Sequence, residues 1–133
     1  MKRIMITGTS SGIGKGIAIR FARGGYEIIN LGLDYEETFP TLKEIEKLGG
    51  RCKFFKVDVS KVEDIYSFGF NEKLDVLVNN AGIAHYELLN RTSDEKFDDV
   101  IRAVLLSRRM KYQRLLINCS RAVASILEIN QLL

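Results

Sequence analysis

Short apolar runs alternate with amphipathic stretches along the first hundred residues of the chain. The runs at 3–7 and 26–31 are too short for helices and end at turns, as buried strands do. Between such runs, apolar residues recur every three or four positions, which is typical of one face of a helix. The alternation predicts strands over 3–7, 26–31, 52–59 and 74–80, separated by helices.

The predicted helices each carry a feature that the structure can check. The first places Ile13, Ile17 and Phe21 on one face. The second, over 36–50, contains Pro40, which a helix accepts without loss only in its first turn. A later helix begins with a capping-box pattern at Thr92.

Alternating strands and helices with short connections predict a parallel sheet with helices on both faces, joined by right-handed crossovers. Residues 114–120 are predicted as a fifth strand and 121–133 as a terminal helix. At 133 residues the chain has the size of one domain. We therefore predict a single α/β domain over 1–133, a doubly wound parallel sheet truncated to about four or five strands.

The composition favours a soluble cytoplasmic protein. The chain is 46% hydrophobic and 28% charged, which is ordinary for a globular domain. Its apolar runs are too short to span a bilayer, and its first residues lack the apolar region of a signal peptide. Cys52 and Cys119 have no metal or redox spacing, so we expect free thiols in a reducing compartment.

The composition changes near residue 103. Residues 101–133 carry six basic side chains and one acid, whereas residues 1–100 carry 14 basic and 16 acidic ones. All 11 glycines lie at or before Gly82. We treat 103–133 as an atypical C-terminal segment. A change of reading frame near codon 103 is one hypothesis, and an authentic short protein with a basic tail is the other; a solvated helix face explains the charge better than a nucleic-acid partner.

The turn after the first predicted strand has the composition of a phosphate-binding turn. Its glycines lie where the unpaired N–H groups of a helix N-terminus face an anion. Gly8 permits the tight turn, Gly12 lets the backbone approach a pyrophosphate, and Gly14 lets the helix pack closely on the sheet. Hydroxyl groups that could add phosphate contacts follow Gly8, at Thr9, Ser10 and Ser11.

The same turn does not fit the P-loop of ATPases. A P-loop around the Gly14-Lys15 pair needs glycine at position 9 and Ser or Thr at position 16, where this chain has Thr9 and Gly16. Lys15 is therefore not a phosphate-clamping lysine, and the main argument for an ATPase function is removed.

Two further motifs accompany the glycine turn. Asp58-Val59 follows the third predicted strand, and Asn-Asn-Ala-Gly over 79–82 follows the fourth. Together with Thr-Gly-x-x-x-Gly-Ile-Gly over 7–14, they resemble the short-chain dehydrogenase/reductase family in order and spacing. The resemblance covers residues 1 to about 102, which correspond to the nucleotide-binding half of that family's fold. It implies a Rossmann-type sheet that binds NAD or NADP.

The resemblance also implies where parts of the cofactor lie. Asp58 would contact the adenine with Val59 beside it, and residues 80–82 would line the ribose and nicotinamide end. The carboxyl ends of neighbouring parallel strands, where all three motifs fall, are where an open α/β sheet binds ligands. The predicted cofactor-binding residues are Gly8, Thr9, Ser10, Ser11, Gly12, Ile13, Gly14, Asp34, Asp58, Val59, Asn80, Ala81 and Gly82.

The choice between NAD and NADP depends on the end of the second strand, where an acid accepts from the ribose 2′-OH and a base attracts a 2′-phosphate. Asp34 lies twenty residues after Gly14, about where the fingerprint expects an acid. When the sequence is aligned from Gly25, however, the position that decides between NAD and NADP in the family falls on Gly32. Asp34 could equally be a helix cap. Residues 24–42 contain no Lys or Arg. NAD is the predicted cofactor, with NADP left open.

The family's catalytic residues are not found in this sequence. Hydride transfer in that family uses a Ser, an Asn and a Tyr-x-x-x-Lys motif. The Lys cation lowers the pKa of the Tyr phenol, so that the phenol can exchange a proton with the substrate. None of the five tyrosines is followed by Lys at the fourth position. Val104 stands where the Asn is expected. Ser120 is only a weak equivalent of the Ser, because the interval from Val104 to Ser120 is shorter than the family's helix and turn need.

These observations predict an NAD(P)-binding protein of the short-chain dehydrogenase/reductase type. The family reaction is hydride transfer between the nicotinamide and an alcohol or carbonyl substrate, and we expect this chain to be inactive or a fragment. The alternative is a non-catalytic dinucleotide sensor that binds a partner. The resemblance also implies a homo-oligomer, because members of the family commonly form dimers and tetramers.

Overall fold

A computed structural model describes residues 1–82, 91–107 and 123–125, in which strands and helices alternate. This alternation follows the hydrophobic pattern of the sequence, and the boundaries of the first four strands differ from the predicted ones by no more than three residues. The strands are β1 (Arg3–Thr7), β2 (Glu27–Gly32), β3 (Cys52–Lys56), β4 (Val76–Asn79) and β5 (Val123–Ser125), and the helices are α1 (Gly12–Arg23), α2 (Tyr35–Lys47), α3 (Val62–Ser67) and α4 (Asp94–Ser107).

The strands form one parallel five-stranded sheet in the order β3-β2-β1-β4-β5. The chain starts at the centre, proceeds to the β3 edge, and then crosses to the other side of β1 to add β4 and β5. This order confirms the predicted doubly wound sheet. The strand order reverses between β1 and β4, and an open α/β sheet has its ligand crevice at the carboxyl ends of strands at such a point.

Two apolar clusters cover the two faces of the sheet. On one face, Ile4 and Ile6 of β1 pack with Ala18 of α1 and Ile45 of α2. On the other, Met5 lies in the cluster that includes Ile65 of α3 and residues of β2 and β4. Because successive residues of a strand point to opposite faces, β1 contributes to both clusters and is fully buried along its centre.

The buried face of α1 differs from the predicted one. Ile13 is 63% exposed, and the buried positions are Gly14, Ala18 and Ala22. Ile17 packs at the margin of the core. Small residues let the helix approach the sheet closely, so the prediction of a core face that includes Ile13 was wrong.

The expectation that Pro40 lies in the first turn of its helix was also wrong. Pro40 is the sixth residue of α2 and has no N–H to donate to the carbonyl of Glu36. The start of the helix is well anchored: Asp34 accepts from the N–H of Glu37 at 3.1 Å, and the Thr38 hydroxyl donates to the Asp34 carbonyl at 2.8 Å. These bonds help to hold the first turn, where proline weakens the backbone ladder.

The C-terminal elements depart from the prediction at two places. Val123–Ser125 form β5 in register with Leu77–Asn79 of β4, where a helix over 121–133 was predicted. A strand here satisfies backbone groups of β4 that would otherwise form an open edge. The predicted strand at 114–120, including Ser120, lies outside the described residues.

The N-cap of α4 lies one residue later than predicted. The helix begins at Asp94, and the hydroxyl oxygen of Ser93 accepts from the N–H of Lys96 at 3.3 Å. Ser93 thus occupies the capping position that the pattern assigned to Thr92. In the part of the chain that the structure describes, no helix has the length and apolar character needed to cross a membrane.

A charged cluster joins the amino-terminal ends of the strands. Arg3 Nε lies 2.6 Å from Glu27 Oε2, and another guanidinium nitrogen of Arg3 lies 2.7 Å from Glu72. Lys53 reaches Glu27 at 3.4 Å and Glu72 at 2.9 Å. Burial raises the pKa of the Glu27 carboxyl, but the hydrogen bond from Arg3 and the charge of Lys53 outweigh burial and hold that pKa below its ordinary value.

Candidate functional site

A cavity of about 660 Å³ lies at the carboxyl ends of the strands, on the edge of the sheet opposite the charged cluster. Its volume falls in the range of small-molecule and cofactor sites. The structure brings twelve of the thirteen predicted site residues to its wall; Gly12 does not line the cavity itself. The twelve are Gly8, Thr9, Ser10, Ser11, Ile13, Gly14, Asp34, Asp58, Val59, Asn80, Ala81 and Gly82.

Sequence reasoning missed several lining residues. Glu37 and Thr38 follow Asp34 at helical spacing, so placing Asp34 at the start of α2 would have found them. Asp99 of α4 carries no motif, and only the packing of α4 places it at the cavity. Gly32, the position that the family alignment singled out, also lines the cavity, and the other missed residues are Leu31, Leu33, Val57 and Ser60.

Backbone geometry and packing explain the three glycines of the turn. Gly8 has a φ of +71° and donates its N–H to the Leu31 carbonyl at 2.9 Å. A Cβ on Gly14 would collide with the Gly8 carbonyl oxygen and the Asn80 amide nitrogen. Gly12 has a φ of +57°, and a Cβ there would meet no atom within 4 Å. Gly14 therefore serves close packing, whereas the surface above Gly12 is open.

The N-terminus of α1 lacks the groups that usually satisfy or neutralise a helix start. The side chain of its N-cap residue, Ser11, makes no capping hydrogen bond, and the first turn contains no acidic residue. By contrast α2 has Asp34 as a side-chain cap and two acids in its first turn. The first N–H groups of α1 have no intrahelical acceptor, so this end of the helix attracts an anion.

Asn80 connects the end of β4 to the glycine turn. Its amide nitrogen donates to the carbonyl oxygens of Thr7 at 2.9 Å and Gly8 at 2.7 Å. In return, Thr7 Oγ1 accepts from the backbone N–H groups of Asn80 at 3.0 Å and Ala81 at 2.9 Å. Both amide hydrogens of Asn80 are used in these bonds, so the residue shapes the cavity from inside the protein.

The Thr9 hydroxyl does not face the cavity as a donor. Thr9 is 1% exposed, and its hydroxyl donates to Asn30 Oδ1 at 2.8 Å. A hydroxyl has one proton to donate, and this one is used within the protein, so a phosphate contact of the Thr9 hydroxyl stays a prediction. Ser10 and Ser11, half-buried and exposed respectively, remain as the hydroxyl groups of the turn at the cavity wall.

Asp58 and Val59 form the part of the cavity wall that follows the carboxyl end of β3. The Asp58 carboxylate accepts from the N–H of Ser60 at 2.9 Å and from its hydroxyl at 2.6 Å. Lys61 Nζ lies 3.8 Å from the other carboxylate oxygen. Val59 is buried in the apolar cluster that covers this face of the sheet. The half-buried carboxylate is thus oriented by its own turn, at the edge of an apolar surface.

Asp34 caps α2, which is one of the two roles left open by the sequence, and it also lines the cavity. Four carboxylates occur among the lining residues, from Asp34, Glu37, Asp58 and Asp99. Within the described part of the chain, no Lys or Arg lines the cavity. The wall is therefore negative at neutral pH, except at the N-terminus of α1.

The strand order, the crevice at its reversal and the glycine turn together define a Rossmann-type nucleotide-binding fold. Comparison with known proteins assigns the family. A family model described as short chain dehydrogenase matches residues 2–130. The chain belongs to this family of oxidoreductases.

Similar curated proteins are identical to the chain at more than a third of the aligned positions. An uncharacterized oxidoreductase of Thermotoga maritima is 38% identical over 103 residues, which cover 73% of this chain and 40% of that protein. The 3-oxoacyl-[acyl-carrier-protein] reductase FabG of Chlamydia pneumoniae is 37% identical over 111 residues, 80% of this chain and 45% of that protein. The chain thus spans less than half the length of these relatives.

Solved structures show the same fold. The 3-ketoacyl-(acyl-carrier-protein) reductase from Brucella melitensis complexed with NADH has a TM-score of 0.73 and 29% identity over 88% of this chain and 50% of that one. The alcohol dehydrogenase from Thermococcus sibiricus complexed with 5-hydroxy-NADP has a TM-score of 0.75 and 30% identity over 89% of this chain and 53% of that one.

Proposed function

We propose that this chain binds a nicotinamide dinucleotide in the cavity at the carboxyl ends of the strands, with NAD preferred to NADP. The observation that carries the proposal is the start of α1, which lacks both a side-chain cap and an acidic first turn. It follows the glycine turn and faces a cavity of cofactor size. Structures of relatives complexed with NADH and with 5-hydroxy-NADP support a cofactor of this class.

The pyrophosphate fits the first turn of α1. The open space above Gly12 lets phosphate oxygens come close to the backbone N–H groups. Ser10 and Ser11 add hydroxyl groups at the same wall. Each such bond to an anionic oxygen is charge-assisted and therefore stronger than one between neutral groups.

The preference for NAD follows from the charges at the adenosine end. Asp34 and Glu37 line the cavity where α2 begins. A carboxylate there accepts a hydrogen bond from a ribose 2′-OH and repels a 2′-phosphate. No Lys or Arg among the described lining residues would offset that repulsion.

The nicotinamide would supply a hydride acceptor or donor when bound. The family uses this chemistry on alcohols and carbonyls, and its catalytic Tyr-x-x-x-Lys motif is absent from the 133 residues. Ile13 and residues 80–82 line the cavity without supplying a proton donor of that kind. We therefore propose that the chain binds the dinucleotide without catalysing hydride transfer, and that the reaction belongs to a longer protein.

Titration of the full chain with NADH, followed by ligand fluorescence, tests the proposal. Gly12→Ala places a methyl group where the pyrophosphate approaches, at a φ that L residues rarely adopt. We expect it to weaken NADH binding by at least about tenfold, which is about 1.4 kcal/mol. Gly16→Ala is the matched control, because Gly16 lies four residues further along α1, away from the glycine turn, and a Cβ there meets no described atom within 4 Å.

Two results would contradict the proposal. One is an unmodified chain that does not bind NADH at millimolar concentration. The other is equal NADH affinity for the Gly12→Ala and Gly16→Ala chains. Adding carbonyl substrates to the NADH-loaded chain tests the second part, since steady oxidation of NADH would show that the chain is catalytically active.

A further inference from the structure

A chain of buried polar groups runs beneath the glycine turn. The Thr41 hydroxyl of α2 donates to the Thr9 carbonyl at 2.9 Å. The Thr9 hydroxyl donates to Asn30 Oδ1 at 2.8 Å, and Asn30 Nδ2 donates to the Lys53 carbonyl of β3 at 3.1 Å. We call Thr41, Thr9, Asn30 and the Lys53 carbonyl the relay; it joins α2, the turn, β2 and β3.

Asn30 is an unusual residue for its position. It is 0% exposed in β2, a strand whose neighbouring residues Ile28, Ile29 and Leu31 are all buried and apolar. Burying an amide costs free energy unless its donors and acceptors are paired, and here both ends of the amide are paired. Packing alone would favour a β-branched residue, so the amide has another role.

The relay holds Thr9 from the inside at two atoms, its hydroxyl and its carbonyl oxygen. Thr9 follows Gly8, and Gly12 lies three residues further on; both glycines have positive φ values. Glycines allow many backbone conformations. A glycine turn that must adopt one of them when a ligand binds therefore loses conformational entropy. Fixing Thr9 removes part of this cost before the ligand arrives.

We propose that Asn30 is a positioning residue that fixes Thr9 and, through it, the shape of the turn that receives the pyrophosphate. The proposal rests on the proposed function for the identity of the ligand. Asn30 touches no ligand itself, because it is fully buried and is not among the lining residues. Its effect is transmitted by one hydrogen bond to Thr9.

Three variants of the full chain separate the relay from ordinary stability. Thr9→Val keeps the shape of Thr9 and removes the hydroxyl that Asn30 accepts from. Thr9→Ser is the conservative variant that keeps the hydroxyl, and it should rescue the effects of Thr9→Val. Ile28→Val removes a buried methylene from the same strand without touching the relay, and costs about 1 kcal/mol of stability.

Two measurements are made on each variant. Amide hydrogen exchange over residues 9–14 reports how firmly the free turn is held, and calorimetric titration with ADP-ribose reports pyrophosphate binding. We expect Thr9→Val to accelerate exchange in the turn and to weaken ADP-ribose binding by about tenfold, the value of one net hydrogen bond. Ile28→Val should change neither by more than about twofold, and Thr9→Ser should restore most of the binding and protection that Thr9→Val loses.

The outcomes distinguish this proposal from the proposed function. If Thr9→Val matches Ile28→Val in both measurements, the relay has no positioning role and the proposal is overturned. If the unmodified chain does not bind ADP-ribose, the proposed function fails, while hydrogen exchange still decides whether Asn30 fixes the turn. Thr9→Ala, which leaves room for water at Asn30, replaces Thr9→Val if that chain does not fold, with the same expected results.

Discussion

The side-chain amide nitrogen of Asn80 lies 2.7 Å from the carbonyl oxygen of Gly8, so the end of β4 holds the turn that follows β1. The same nitrogen also donates to the Thr7 carbonyl. Two strands that are adjacent in the sheet but distant in sequence thus share one donor group.

Asn80→Asp should disrupt both the fold and the site. A carboxylate would face two carbonyl oxygens without a proton to donate, and a buried unpaired charge is costly. We expect a loss of about 3 kcal/mol in the free energy of unfolding, measured by urea denaturation, and no NADH binding. Asn80→Ala should lose about 2 kcal/mol, because it removes the donors without adding charge. Equal stability of the two variants would contradict the assigned contacts.

Cofactor choice should respond to the charge at position 37. Glu37 lines the cavity and Glu36 does not, although both lie in the first turn of α2. Glu37→Lys should strengthen NADPH binding relative to NADH by about tenfold, because it replaces repulsion of the 2′-phosphate by attraction. Glu36→Lys is the control for net charge and helix effects. The ratio of the NADPH to the NADH dissociation constant is measured for both variants at the same ionic strength, and it should be lower for Glu37→Lys. Identical ratios for the two variants would exclude this role for Glu37.

Acid should weaken the fold through Glu27. The pKa of this carboxyl is lowered in the folded state, so its contribution to stability is present above the unfolded pKa of about 4.3 and is lost as the pH falls through the folded pKa. Glu27→Gln should therefore be less stable at pH 7 and show a flatter decline in unfolding free energy below about pH 4.3. Glu63→Gln, at an exposed position outside the cluster, should follow the unmodified chain. Parallel pH curves for all three proteins would contradict the prediction.

Two buried asparagines should respond in opposite directions to the same substitution. Asn30 has both ends of its amide paired, whereas neither polar atom of the Asn79 side chain has a hydrogen-bond partner in the part of the chain that the structure describes. Asn30→Leu should lower the free energy of unfolding by about 2 kcal/mol, and Asn79→Leu should raise it by about 1 kcal/mol. Urea denaturation measures both. Destabilisation by Asn79→Leu would mean that this amide has partners that the described residues do not include.

Much of the fold could be predicted because the strands have continuous apolar centres and the turns between them contain glycine. The site was predicted from motifs whose residues have chemical reasons to be there, such as Gly14 against the Gly8 carbonyl. The buried face of α1 was missed because Gly14, Ala18 and Ala22 are too small to form a visible apolar stripe. Asp99 was missed because no motif marks it, and its place at the cavity depends on where α4 lies in the fold.

The inward orientation of the Thr9 hydroxyl could not be predicted either, because it also depends on a tertiary contact. A serine or threonine in a glycine turn has the chemistry of a phosphate contact, and only the burial of Asn30 on β2 gives this hydroxyl another acceptor. A sequence pattern records neighbours along the chain, whereas this bond joins residues that are 21 positions apart. Contacts of that kind become visible only when strand order and register are known.

The central position of β1 has a consequence for synthesis on the ribosome. The turn emerges among the first residues, but the amide that holds it belongs to Asn80, which is 72 residues from Gly8. A nascent chain can pair β1, β2 and β3 early, yet it cannot close the cavity until β4 has left the exit tunnel. Non-local pairing of this kind is slow to form, so the growing chain should acquire the capacity to hold a cofactor only after the pairing of β1 with β2 and of β2 with β3.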